Sequence, residues 1–190
     1  STLIIAGTII VLALLIPGIF LIPKLIKSKE QLEKSIAVLP FFNESPDSSN
    51  IYICNGLMDD ILTQLHKIGD LNVKSRTSAE RYRIPDKDII RIGKELRVSY
   101  IIEGSVSKLG DNIQITVQLI NAKNGNHIWA EPFNGKYTTE IFDFLNNVAK
   151  KVASSVNAVI TPNEEKSIET RTTNDIAAYD LQKRGHEMLR

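Results

Sequence analysis

Hydrophobic residues follow two different spacings along this chain, and their succession predicts a mixed α/β domain. The run Ile36–Phe42 is almost entirely apolar and ends in turn-forming residues, which is typical of a strand buried on both faces. Apolar residues at helical spacing follow, at Leu57, Ile61, Leu65 and Ile68. We expect this helix to cover residues 52–68 and to end where Gly69 takes a left-handed conformation.

The rest of the pattern extends the order to β-α-β-α-β-β-β-α. Leu71–Arg76 is predicted to be a strand, and a helix capped by Asp86 or Asp88 should end near Leu96. Turn signals and alternating residues predict three antiparallel strands and a final helix, at Tyr100–Leu109, Ile113–Ile120, His127–Phe133 and Ile141–Ile160. The fold class is therefore α/β (α+β), with a mixed sheet of about five strands and helices packed on it.

An uncharged segment precedes this domain. Leu3–Ile22 is dominated by Ile, Leu and Val, and a helix of this length spans about 30 Å, the thickness of the hydrocarbon layer. We expect residues 1–23 to form a transmembrane helix, with the lipid bilayer as one partner. The positive-inside rule would place the following lysines in the cytoplasm, although residues upstream could reverse the orientation; they are Lys24, Lys27, Lys29 and Lys34.

Polar segments divide the chain further. Residues 24–34 are predicted to be a basic linker and residues 35–160 the α/β domain. Residues 161–175 contain Pro162 and a charge cluster, which predicts a second linker. Residues 176–190 return to a helical pattern.

Composition narrows the classes of function. The chain has 190 residues, 43% hydrophobic and 24% charged, with a net charge of +1 that gives no global field for an acidic partner. We therefore expect these residues to bind no nucleic acid. The single cysteine, Cys54, cannot form an internal disulfide and is expected to be a small buried hydrophobe.

The motifs of common catalytic and cofactor sites are missing from the sequence. His66, His127 and His186 have no second metal ligand at a useful spacing. No glycine-rich phosphate loop follows the first strand, and no nucleophile elbow occurs. We therefore expect no catalytic residue, no metal and no cofactor in this part of the protein.

Polar residues after the first two predicted strands are the candidates for contact with a partner. They are Asn43, Ser45 and Asp47 in the loop after the first strand, and Arg76 at the end of the second. Loops at the carboxyl ends of neighbouring parallel strands meet at one edge of a sheet, where such sheets place their ligands. We expect protein partners here.

Six sequence blocks in order resemble the TolB amino-terminal-like domain, which is related to the FlgO and CsgG modules. They are S-I-A-V-L-P-F-F-N from Ser35, G-L-M-D-D-I from Gly56, V-K-S-R-T-S from Val73, Y-I-I-E-G-S-V from Tyr100, I-T-V-Q-L-I-N-A from Ile115 and G-N-H-I-W-A-E from Gly125. The segment D-I-A-A-Y-D-L-Q-K-R-G from Asp175 resembles the lead-in helix of a tetratricopeptide-repeat region.

The resemblance implies a non-catalytic protein-interaction or sensing module of the bacterial envelope, part of a larger signalling or regulatory protein. With the uncharged segment, it implies a single pass through the bacterial inner membrane and a periplasmic domain, whereas the lysines after the helix favour a cytoplasmic one. The alternative is a fragment of a membrane-bound nucleotide cyclase or of a membrane-tethered DNA-binding transcription regulator, with the active domain upstream of Ser1.

Overall fold

The computed structural model describes residues 33–171 and 173–189, which contain six strands and six helices. The strands are β1 Ser35–Val38, β2 Phe42–Asn43, β3 Asn72–Val73, β4 Tyr100–Leu109, β5 Asn112–Asn121 and β6 His127–Lys136. The helices are α1 Ile51–His66, α2 Arg76–Glu80, α3 Ile89–Leu96, α4 Glu140–Ser155, α5 Pro162–Glu169 and α6 Ile176–Met188. A short 3₁₀ turn, Ser48–Asn50, leads into α1.

The strands form one mixed sheet in the order β3-β1-β4-β5-β6, with β2 pairing with β4 as well. β1 is parallel to β3 and to β4, and the β4-β5-β6 meander is antiparallel. The predicted fold class and meander are confirmed. The sheet has six strands instead of about five, because the apolar run that predicted one strand forms two.

The division between β1 and β2 is a bulge beside β4. Ile36 pairs with Tyr100, whereas Phe42 pairs with Ser105, so β1–β2 contains one residue more than the stretch of β4 it follows. The interruption includes Pro40, which has no backbone N–H to donate to the sheet. An extra residue on one strand is the definition of a β-bulge.

The two faces of the sheet differ in polarity. One face presents Ile102 and Val106 of β4 with Ile115, Val117 and Leu119 of β5, all fully buried. Helix α4 covers this face through ring contact between Phe133 and Phe144, whose centroids are 5.3 Å apart. The opposite face carries polar side chains, at Glu103, Ser105, Ser107, Gln114, Thr116 and Gln118.

Strand β6 forms the outer edge of the sheet and has a proline at its centre. Pro132 pairs with Thr116 of β5 and is exposed. Because proline has no N–H, the edge lacks one donor in mid-strand, which discourages pairing with the edge of another molecule.

We expect Pro132→Val to promote self-association, since valine restores the missing donor and favours strand conformation. Size-exclusion chromatography with light scattering on the full 190-residue chain should show a dimer or larger species that grows with protein concentration. The matched control is Asn134→Val, an exposed position of the same strand that already has an N–H. Equal association of the two variants would mean that the proline does not protect the edge.

The predicted end of α1 is wrong. The helix ends at His66, its C-cap Lys67 has a right-handed conformation, and Gly69 is not among the described residues with positive φ. Its N–H donates to Glu164 Oε1 at 2.8 Å. The segment 161–175, predicted to be a linker, contains helix α5, which Thr161 and Glu164 cap reciprocally.

The predicted location, a single pass through the bacterial inner membrane with a periplasmic domain, is corrected. Within residues 33–171 and 173–189, no helix has both the length and the apolar composition needed to cross a membrane. The segment that carried the prediction and the lipid contact, Leu3–Ile22, lies outside the described residues.

Candidate functional site

Three of the predicted contact residues lie in one compact turn before α1. Asn43 Nδ2 donates to the Asp47 carbonyl oxygen at 3.0 Å, and Ser45 N–H donates to Asn43 Oδ1 at 3.0 Å. Asp47 accepts from the N–H of Ser49 at 2.8 Å and caps the 3₁₀ turn. Hydrogen bonds from Ser49 lower the pKa of Asp47. The loop is therefore held in one shape and presents an ionised carboxylate.

The fourth predicted residue, Arg76, lies elsewhere. It begins helix α2 and does not end a strand as predicted. Its guanidinium forms an ion pair with Asp59 of α1, and Nε bonds Glu80 Oε2 at 3.3 Å. Arg76 follows β3, whose end lies level with Tyr100 at the start of β4. The turn instead contacts the other end of β4, where Ser45 Oγ accepts from the N–H of Lys108 at 2.9 Å. The turn therefore lies farther along β4 than Arg76, and whether these residues contact a partner stays a prediction.

Helix α6 covers the outer face of α1 between these two positions, and its contacts are mainly polar. We call this contact the α1–α6 seam; it consists of Tyr52, Asn55, Gly56 and Asp60 of α1 with Tyr179, Asp180, Lys183, Arg184 and Glu187 of α6. Paired charges and hydroxyl groups join the two helices here.

Asp60 is the centre of the seam. Its Oδ1 accepts from Lys183 Nζ at 2.5 Å, and its Oδ2 accepts from the Tyr179 hydroxyl at 2.6 Å. Burial raises the pKa of Asp60, although Lys183 and Tyr179 counteract it. The stem of Lys183 crosses α1 at Gly56, where a Cβ would lie 2.9 Å from Lys183 Cδ. Glycine therefore permits the close approach of the two helices.

A second cluster joins the start of α1 to α6. The Tyr52 hydroxyl donates to Asp180 Oδ1 at 2.6 Å and accepts from Arg184 Nη2 at 2.8 Å. Burial raises the pKa of Tyr52 to about 12, with a further contribution from Asp180. Burial alone would raise the pKa of Asp180, but hydrogen bonds from Tyr52 and Arg184 outweigh it, and the pKa is lowered. The cluster therefore holds an ionised carboxylate beside a guanidinium.

Asn55 connects the seam to the segment after α2. It is 4% exposed, and its amide donates to Glu187 Oε2 at 2.8 Å and accepts from Arg83 Nη2 at 2.7 Å. Sequence reasoning missed the seam. The sequence did contain a signal for it. On α6, Tyr179 and Lys183 are four residues apart, and so are Asp180 and Arg184, which places these polar side chains on one stripe of the helix.

On the opposite face of the sheet, Lys87 holds the bulge. Its Nζ donates to the Pro40 carbonyl oxygen at 2.9 Å, lies 4.2 Å from the Phe42 ring centroid and 4.0 Å from Glu103 Oε2. The side chain is 3% exposed. Burial lowers the pKa of Lys87 to about 8, although Glu103 acts in the opposite direction. A single ammonium group thus fixes the extra residue of β1–β2.

The described residues contain little that resembles a reaction centre. No group of three or more His, Cys, Asp or Glu side chains in residues 33–171 and 173–189 is placed to hold a metal ion. Cys54 is fully buried, and burial raises the pKa of its thiol to about 12, which makes it a poor nucleophile. This agrees with its expected role as a small buried hydrophobe.

Comparisons with known proteins identify relatives by sequence. A family profile described as "HilA/YgeH-like transcriptional regulator, second domain" matches residues 32–151. "Putative adenylate cyclase 3" of Rhizobium meliloti (strain 1021) is 36% identical over 155 residues, which cover 82% of this chain and 26% of that protein. The chain therefore spans about a quarter of the length of this relative.

Solved structures with a similar fold include a lipoprotein and TolB. Lipoprotein GNA1162 from Neisseria meningitidis matches with a TM-score of 0.48 and 16% identity, over 64% of this chain and 98% of that one. TolB from Acinetobacter baumannii matches with a TM-score of 0.47 and 18% identity, over 64% of this chain and 28% of that one. The solved structures of similar fold thus include TolB, the protein after which the resembled domain is named.

Proposed function

Because this chain belongs to the family of HilA/YgeH-like transcriptional regulator second domains, we propose that it is a non-catalytic protein-interaction module within a larger regulatory protein. The family name refers to transcription, whereas the name of the 36% identical relative refers to a cyclase. The domain is therefore shared by proteins whose names indicate two different activities. We expect it to supply a function that both can use, which is contact with other proteins and regulation of the domains attached to it.

The α1–α6 seam is the observation that carries the proposal. Helices that pack permanently in a core bury apolar stripes, whereas this contact relies on ion pairs and hydroxyl groups, such as Asp60 with Lys183 and Tyr179. Polar contacts of this kind are directional and specific. We infer that α6 reports the state of the domain to the rest of the protein, and that the turn at Asn43, Ser45 and Asp47 and the side chain of Arg76 contact the partner.

Reversing one charge should open the seam. In Asp60→Lys, two ammonium groups would meet where Lys183 now has its carboxylate, and we expect the α6 amides to exchange hydrogen at least about tenfold faster. The double variant Asp60→Lys with Lys183→Asp restores opposite charges and should recover most of the protection. Hydrogen-exchange mass spectrometry on the full chain measures both. If the double variant exchanged as fast as the single one, the ion pair would not hold α6.

Site-directed photocross-linking tests the contact with a partner. A photoreactive residue at Ser45 or Arg76 in the full-length protein should give a defined adduct in cells, and one at exposed Asn134 should not. In a second experiment the photoreactive residue is placed at Ser49, within the same turn. Alanine substitutions at Asn43, Ser45, Asp47 and Arg76 should then reduce the amount of the same partner protein that is recovered as an adduct. Because these side chains also make internal hydrogen bonds, each variant must first show wild-type thermal unfolding. Unchanged recovery from folded variants would make the site assignment wrong.

The rival proposal is that the chain itself carries the cyclase reaction. The similarity to the Rhizobium meliloti protein favours it, but that similarity covers 26% of the relative. We expect the 190-residue chain to form no cyclic AMP from ATP and Mg²⁺ in a mass-spectrometric assay. Formation of cyclic AMP that survives repurification of the protein would overturn the non-catalytic assignment.

A further inference from the structure

The turn between α1 and β3 contacts both the chain that enters the domain and the chain that leads out of its last large helix. We call residues 69–72 the junction turn. Lys34 lies immediately before β1, and Val159 and Glu164 lie in the segment that leads from α4 into α5. All three are hydrogen-bonded to the junction turn.

On the incoming side, three contacts hold Glu33 and Lys34. Lys34 Nζ donates to Asp70 Oδ2 at 2.5 Å. The N–H of Asn72 donates to the Lys34 carbonyl oxygen at 2.9 Å, and Asn72 Nδ2 donates to Glu33 Oε1 at 3.1 Å. Because Asn72 belongs to β3, which pairs with β1, the junction turn is fixed to an inner strand of the sheet.

On the outgoing side, two contacts hold the start of α5. The N–H of Val159 donates to Asp70 Oδ2 at 2.8 Å, and the N–H of Gly69 donates to Glu164 Oε1 at 2.8 Å. One oxygen of Asp70 thus accepts from both sides of the chain. Hydrogen bonds from Lys34 and Val159 lower the pKa of Asp70, which keeps this carboxylate ionised.

Helix α5 depends on polar contacts of this kind. Ile168 is its one buried side chain. Its other attachment to the domain includes the ion pairs of Lys150 of α4 with Glu165 and Glu169. Elements with few buried apolar contacts open locally more readily than the core does. We therefore expect α5 to open while the sheet stays intact.

The shared oxygen of Asp70 couples its two donors. While Lys34 is bound, the carboxylate is held where it accepts from the N–H of Val159. When Lys34 is displaced, the Asp70 side chain gains rotamer freedom, and holding it for Val159 costs more conformational entropy. Loss of the incoming contact should therefore shift α5 towards its open state.

We propose that the junction turn is a regulatory coupling device that links the incoming chain at Glu33 and Lys34 to the docking of α5. A part of the larger protein that displaces the Lys34 side chain would release α5, the helix that leads into α6. The inference goes beyond the proposed function, because this coupling operates whether or not the domain binds a partner protein.

Hydrogen exchange of the α5 amides in the full chain tests the inference. Lys34→Met removes the incoming ion pair and should speed their exchange about threefold, as expected for a partly exposed pair. The amides of β5 should not change. Lys94→Met, at an exposed position of α3, is the control and should leave α5 as in the wild type. Unchanged α5 exchange in Lys34→Met, or equal acceleration in β5, would overturn the inference.

A double-mutant cycle tests the route through Asp70. Asp70→Asn keeps an oxygen for the N–H of Val159 but loses the charge that pairs with Lys34. It should speed α5 exchange by about the same factor as Lys34→Met, and the double variant should exchange no faster than either single one. Thermal unfolding of each variant establishes that it is folded. If Lys34→Met accelerated α5 equally with and without Asp70→Asn, the coupling would not pass through the junction turn.

Discussion

Gly104→Ala should lower the free energy of unfolding by about 3 kcal/mol, at the upper end of what overpacking a core costs. A Cβ at this position of β4 would lie 2.4 Å from the Thr116 carbonyl oxygen and 2.7 Å from Cε2 of Phe41. The carbonyl belongs to the neighbouring strand and cannot move without disturbing the sheet. Phe41 is 2% exposed and has no free space to enter. Urea unfolding of the full chain, followed by circular dichroism, measures the change.

Gly185→Ala is the matched control for this substitution. Nothing lies within 4 Å of a Cβ at that position of α6. Alanine there should stabilise the helix by about 0.5 to 1 kcal/mol, because glycine is the poorer helix former. A midpoint for Gly104→Ala that equals the wild-type midpoint would show that the sheet can yield at this contact.

Lys87 should make the stability of the protein rise at alkaline pH. Burial lowers the pKa of this lysine from 10.5 to about 8, so between these values the unfolded chain binds the proton and the folded chain does not. Raising the pH through this window removes the cost of burying the charge. Wild type should therefore gain on the order of 3 kcal/mol relative to Lys87→Met, and below pH 8 the difference should be constant.

The comparison with Lys87→Met isolates this one group, because every other titrating side chain is present in both proteins. Urea unfolding at several pH values from neutral to the upper limit of the window gives the difference directly. Lys94→Met is the control and should follow the pH dependence of the wild type. A difference between wild type and Lys87→Met that does not change with pH would mean that water reaches the ammonium group in the folded protein.

Local patterns predicted the elements well where one short-range signal decides the structure. Residues Asn124 and Gly125 signalled a hairpin, and Gly125 has a φ of 73° in the turn between β5 and β6. The alternation from Ile113 to Leu119 placed the buried face of β5 correctly. Helix α5 was missed although its start carries a capping box at Thr161 and Glu164, because its composition is polar.

The candidate site was harder to predict because it depends on contacts between distant parts of the chain. Asp60 and Lys183, which join α1 to α6, are 123 residues apart. Neither residue is unusual in its own helix, and a solvated helix face is the ordinary explanation of each. Arg76 was assigned to the end of a strand because the local pattern of Leu71–Arg76 predicts one, whereas Arg76 starts α2. Its position is fixed by the ion pair with Asp59, which lies on another helix and is not visible in the local sequence.

The bulge between β1 and β2 has a consequence for how relatives of this protein should be aligned. Removing one residue from Leu39–Phe41 would leave Phe42 opposite Ser105 but would erase the bulge, and the Pro40 carbonyl oxygen would no longer lie where Lys87 Nζ binds it. The length of this stretch is therefore constrained, whereas the turn from Ser45 to Ser49 can vary in length without shifting any strand. In a sound alignment of this family, gaps belong in the turn and not in the three residues before β2.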